Sequence, residues 1–112
     1  MRRNAAKPEV TPSSGNVSAD LGAAEAGGRQ TKVRLALAIN RILEQQRFTQ
    51  AEAARRLEVN QPKISALANY RLDGFSVERL MHFLNALGRD VEIVIRSKAR
   101  SRRAARIFVT AA

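Results

Sequence analysis

Apolar residues recur at two different periods along the middle of the chain. Leu35, Ile39 and Ile42 fall at i, i+4 and i+7, Ala38 and Leu43 widen the stripe, and Arg34, Arg41 and Glu44 lie on the other side. This is the period of an amphipathic helix, and with Thr31 as cap it predicts a first helix ending near Arg47. Thr49-Gln50-Ala51-Glu52 has the form of a capping box, in which the hydroxyl reaches the amide three residues on and the carboxylate reaches back. It predicts a short second helix through Leu57 with Ala53, Ala54 and Leu57 inward. Asn60 is the next cap, and Pro62 suits a first turn because its missing N–H has no partner there. A third helix, Gln61 to Asn69, is predicted with Ile64, Leu67 and Ala68 inward and Pro62, Ala66 and Asn69 outward, flanked by Lys63 and Ser65. Ser76 caps a fourth, with Phe75 placed to staple onto Leu80; Val77, Leu80, Leu84 and Leu87 repeat at helical spacing, and Gly88 supplies the stop.

Beyond Gly88 the period changes to two. Val91, Ile93 and Ile95 alternate with Glu92 and Val94, which predicts one β-strand. A lone strand leaves its backbone groups unpaired, and no other segment has the pattern to pair with it. The expected remedy is the same strand of a second copy, antiparallel across a two-fold axis, and hence a homodimer. Two short helices joined by Glu58-Val59-Asn60 form a helix-turn-helix arrangement. The expected fold is mainly α, a bundle of four to five helices plus that one C-terminal strand.

Composition narrows the partners. The 112 residues hold 20 Lys and Arg against ten Asp and Glu, a formal charge of +10. With no Cys and only His82, the chain lacks the material for a disulfide, a thiolate nucleophile or a multi-histidine metal site. His82 reads as a structural residue on the flank of the fourth helix. No run of apolar residues exceeds Leu35–Ile39, far short of the roughly 20 that span a bilayer. No acid–base, nucleophilic or metal constellation is visible, so no enzyme activity, cofactor, metal or membrane partner is expected. Composition leads one to expect a basic cytoplasmic protein with nucleic acid as its leading class of partner.

The charge is unevenly placed. Residues 1–30, rich in Ala, Gly, Ser, Pro and Asn, hold few large apolar side chains and are expected to be a flexible N-terminal segment. Residues 31–96 form the expected DNA-binding and dimerisation domain. Residues 97–112 are expected to be a disordered basic tail; from Arg96 onward six cations occur without an acid.

Residues Gln50 to Leu67 resemble the helix-turn-helix of the XRE (Cro/C1-like) family, with Ala54, Val59, Ile64 and Leu67 at that family's small and branched core positions. Ser14 to Gly22, Gly74 to Leu80 and Leu87 to Ile93 are similar to a subgroup of small regulators that includes HigA-type antitoxins. The resemblance implies a lambda-repressor-like fold, and a RelE/HigB-like toxin as a further partner. It places Glu58 and Tyr70 where the family commonly carries Gly, with Asn69 expected to take the left-handed conformation in place of Tyr70. It places Ser18 where an aromatic is usual.

The implied mechanism is sequence-specific binding of duplex DNA. The third helix enters the major groove, with Gln61, Ser65 and Asn69 offering hydrogen bonds to base edges and Pro62 and Ala66 meeting thymine methyls. Thr49 and Gln50, at the start of the second helix, grip phosphate with Arg47, Lys63 and Arg71. The reading is a repressor, plausibly a toxin's antitoxin. The alternatives are an XRE regulator without a toxin, and a protein–protein adaptor with a basic tail.

Overall fold

A computed structural model describes residues 17–111, with side chains from Gly28 onward. Residues 1–16 of the expected flexible segment lie outside the described residues. Four helices follow in order: α1 (Val17–Gln45), α2 (Gln50–Leu57), α3 (Gln61–Ala68) and α4 (Val77–Ala86).

The three short helices begin where the sequence places their caps. The Thr49 hydroxyl accepts from the Glu52 amide and the Glu52 carboxylate accepts from the Thr49 amide, closing the box at α2. Asn60 Oδ1 accepts from the Lys63 amide at α3, and Ser76 Oγ from the Arg79 amide at α4.

The first helix differs. It begins at Val17, so Thr31 is no cap but a buried residue within the helix. A helix nucleated by the packed stretch from Thr31 onward extends backward through Ala23, Ala24, Glu25 and Ala26 at the low cost of propagation, without a second nucleation.

All four helices end in one way. In each, a residue with positive φ follows the last turn: Arg47 (58°), Glu58 (59°), Tyr70 (58°) and Gly88 (80°). The next amide reaches back to the carbonyl five residues earlier, as Phe48 to Leu43, Val59 to Ala54, Arg71 to Ala66 and Arg89 to Leu84, at 2.9–3.1 Å. This is the Schellman ending. Asn69 does not take the left-handed role expected of it: its φ is −99°, and Tyr70 adopts that conformation itself. The reason is the ladder, for the Tyr70 amide closes onto Leu67 and the Arg71 amide onto Ala66, which puts the reversal at Tyr70.

The core joins Leu35, Ala36, Ile39 and Ile42 of α1 to Ala53, Ala54 and Leu57 of α2, Ile64 and Leu67 of α3, and Leu80, Phe83 and Leu84 of α4. Leu72, Phe75 and Leu87 close it from the connections, and the Phe75 and Phe83 rings meet edge to face at 5.9 Å. Alanines at the inner face of α2 let α3 approach closely. Arg56 ties α2 to α4, its Nε donating to the Ala86 carbonyl at 3.2 Å. Two inward assignments on α3 are exchanged: Ala68 is exposed, whereas Ala66 is half-buried and packs against the core. Asp73, Gly74 and Phe75 of the following connection lie on that flank, lining a cleft with Ala66.

No strand occurs among the described residues, so the predicted strand of Val91, Ile93 and Ile95 is not formed in the single chain. Val91 is half-buried against the core, but Ile93 and Ile95 are 73% and 93% exposed. A strand needs a hydrogen-bonding neighbour, and the described residues supply none. The segment expected as a disordered tail lacks regular structure yet is not detached. It turns at Ala99–Arg102 and returns to α1, where Val109 packs against the core.

Candidate nucleic-acid interface

The start of α2 and the outer side of α3 lie next to one another, joined by the turn Glu58–Asn60. Glu58 takes the left-handed conformation there (φ 59°, ψ 46°), which costs a residue with a Cβ about 1 kcal/mol or more. The turn keeps its geometry despite lacking Gly.

On α3, Gln61 and Pro62 are exposed and Ser65 and Ala66 half-buried. Asn69, just past the helix, is exposed, but its amide nitrogen donates to the Ser65 carbonyl at 2.9 Å. That bond uses one of the two amide N–H groups and leaves Asn69 the other together with its oxygen. No hydrogen bond engages the Gln61 side chain among the described residues, so it keeps both donor and acceptor. A bidentate amide contact to adenine needs both. Gln61, exposed at the start of α3, retains both groups that such a contact uses.

At the other end, a cleft of about 400 Å³ opens between the end of α1, the start of α2 and the end of α3. Arg47, Thr49, Gln50 and Tyr70 are among its lining residues. The Gln50 and Ala51 amides, in the first turn of α2, have no carbonyl behind them in the helix, and an anion suits that position. The Thr49 hydroxyl is committed to the cap, so its part is to shape the helix start. Sequence reasoning did not single out the Tyr70 ring for this cleft. Its position as a 41% exposed aromatic at the reversal after α3 was the available signal.

Lys63 and Arg71 diverge. Arg71 is exposed just beyond α3. Lys63 instead folds back on its own domain: its Nζ donates to the Gly74 carbonyl at 3.2 Å and sits 4.8 Å from the centre of the Phe75 ring. In the free chain its charge therefore rests near the α3–α4 connection. Arg47, Thr49 and Gln50 thus share the cleft, with Arg71 exposed just past α3 and Lys63 on its flank. His82 lies on the exposed side of α4, 3.8 Å from Glu78. Among the described residues no three His, Cys, Asp or Glu cluster as metal ligands, and no helix is long and apolar enough to cross a membrane.

Comparison with known proteins agrees with this geometry. A family described as a helix-turn-helix domain matches residues 17–96. A solved structure titled "Putative XRE Family Transcriptional Regulator" is similar to this chain at 65% sequence identity and a TM-score of 0.75, covering 79% of this chain and 99% of its own. No curated protein matches. The chain belongs to the XRE family of helix-turn-helix transcriptional regulators.

Proposed function

We propose that this DNA-binding regulator acts as a sequence-specific repressor, with α3 in the major groove and Gln61 as its principal base reader. The observation that carries this is the unengaged Gln61 amide in the exposed first turn of α3, the helix that follows the capped turn of the helix-turn-helix. Pro62, Ser65 and Ala66 supply shape and weaker contacts along the same helix, and Arg47, Gln50 and Arg71 hold the backbone. Two copies bind two half-sites, their residues 91–95 pairing as the strand that one chain cannot form.

The test is selection from random duplexes followed by Gln61→Ala. A palindrome with half-sites about one helical turn apart is expected, and the variant relaxes the base preference by about 1–3 kcal/mol at one position per half-site. Failure to enrich any sequence, with Gln61→Ala indistinguishable from the parent, rejects the reading. A role as antitoxin extends this proposal on the strength of the resemblance in Gly74–Leu80 and Leu87–Ile93. Its test is whether the adjacent reading frame encodes a small basic protein that co-purifies with this one.

A further inference from the structure

The segment from Arg96 to Arg106 carries Arg96, Lys98, Arg100, Arg102, Arg103 and Arg106 and no acidic residue. It begins at the end of the matched family region and runs beyond it. None of the six forms an ion pair with a carboxylate among the described residues, and all but the half-buried Arg102 are exposed. A run of this kind in free solution would be an extended, self-repelling tail.

Here it is a closed loop. At the near end, Val91 packs against the core; at the far end, Val109 does so too. Phe108 fastens the return to α1: the Arg34 guanidinium lies 4.4 Å from its ring centre and that of Arg106 lies 4.9 Å away. Between the anchors the Arg102 amide donates to the Ala99 carbonyl, and Lys98 Nζ donates to the carbonyls of Ala99 and Arg102. Closing the loop costs chain entropy and gathers like charges, both unfavourable by themselves. The arrangement is therefore matched to a dense line of negative charge, whose binding relieves the repulsion.

We infer that the anchored loop Arg96–Arg106 is a second DNA-contacting element, which grips duplex phosphates outside the footprint of α3. Duplex DNA is favoured over an acidic protein because the reading head already holds that polyanion. The loop is joined to the head through α1, so its contacts form at high effective concentration. From Arg34 to the end of α1 is about 16 Å along the helix axis, which sets the contacts beside the head's footprint. The inference rests on the DNA-binding reading but not on any particular base contact.

The test compares the full chain with its R100Q/R102Q/R103Q variant, binding a labelled random-sequence duplex by fluorescence anisotropy between 50 and 200 mM salt. Each lost phosphate contact is expected to flatten the slope of log K against log salt by about 0.9, a total near 2.7 for three. The selected operator should weaken by the same factor, so that the ratio of specific to random binding stays constant. Gln61→Ala should do the opposite, changing that ratio and leaving the slope. Thus failure of the loop and failure of the reading helix are separately visible. A second variant, Phe108→Ala, keeps all six charges and releases the anchor; weaker binding to the random duplex is expected. With circular dichroism showing the helices intact, an unchanged slope in the triple variant overturns the inference. Parental binding by Phe108→Ala overturns the part played by anchoring. A loss confined to single-stranded RNA would give the loop a different partner and overturn it as well.

Discussion

Asn40, in the C-terminal part of α1, donates from Nδ2 to the carbonyl of Leu67, 3.1 Å away on α3. The same carbonyl accepts the Tyr70 amide that ends the helix. One oxygen thus fixes both where α3 stops and how it is held against α1. Replacing Asn40 by Ala is expected to cost about 1 kcal/mol, as a partly buried hydrogen bond does, and to loosen α3 on its scaffold. Thermal denaturation measures the first effect. Hydrogen exchange at the Tyr70 and Arg71 amides measures the second, and should rise more than at α4.

The four helix ends make a matched experiment in backbone conformation. Glu58→Gly should stabilise by about 1 kcal/mol, because Gly meets no Cβ penalty at φ 59°. Gly88→Ala should destabilise by a similar amount, although nothing lies within 4 Å of the added Cβ, so that its cost is conformational and not steric. For a domain of this size each change moves Tm by about 4–8 °C, in opposite directions. Equal shifts of the same sign would remove the left-handed strain from the account.

The capping box of α2 predicts a pH dependence. The Thr49 backbone amide, then its hydroxyl, hold the Glu52 carboxyl below the usual glutamate range, against an opposing effect of desolvation and with a lesser contribution from the charge of Arg55. A pKa lowered on folding gives stability that is complete above the unfolded-state value, near 4.3 for Glu, and is lost as pH falls through the folded one. The Tm advantage of the parent over Glu52→Gln should therefore hold at pH 7 and shrink between about pH 5 and 3. An advantage constant across that range would show that the ionised carboxylate is not its source.

Lys63 gives a separate test of where a cation works. Lys63→Met keeps the stem and removes the bonds to Gly74 and Phe75, so Tm should fall while the salt dependence of DNA binding stays as in the parent. A Cβ at Gly74 would come within 2.8 Å of the Lys63 Nζ and displace it. Gly74→Ala should thus cause part of the same loss, and the double variant should cost less than the two singles together.

Proline at Ile93 cannot donate to a strand ladder. If residues 91–95 pair between two copies, Ile93→Pro should yield monomer by light scattering with the four helices intact. A dimer that survives the change would place the interface elsewhere.

Much of this fold is legible in the sequence because its punctuation is local. Thr49, Asn60 and Ser76 each bond an amide three residues on, so their roles lie within a single turn. Most core positions of α1 and α4 follow from period, although Ala36 and Phe83, both buried, lie outside the predicted stripes. What escaped had distant causes. The backward extension of α1 depends on a packed half that nucleates it, and the polar and small residues before Thr31 conceal that. Ala66 and Ala68 trade burial because the α3–α4 connection passes along one flank of α3, which helical periodicity does not register. The engagement of Lys63 and the return of Phe108 to Arg34 join residues far apart in the chain. For the interface, residue type gave the amides, but only geometry distinguished the unengaged Gln61 from the partly engaged Asn69.

The shared helix ending has a consequence for how the chain reaches its structure. Each of the four stops is closed by amides reaching back no more than five residues, and each short helix is started by a side chain three residues from its target. Helix lengths can therefore be settled before any tertiary contact forms, and α2 and α3, adjacent in sequence, can assemble first. The closure of α1 with α4, the Asn40–Leu67 and Arg56–Ala86 bonds and the return of Phe108 to Arg34 join segments far apart. With so much local order the chain should fold rapidly. Substitutions at Ala53, Ala54 or Ile64 should slow its folding rate, whereas those at the α1–α4 seam should mainly hasten unfolding.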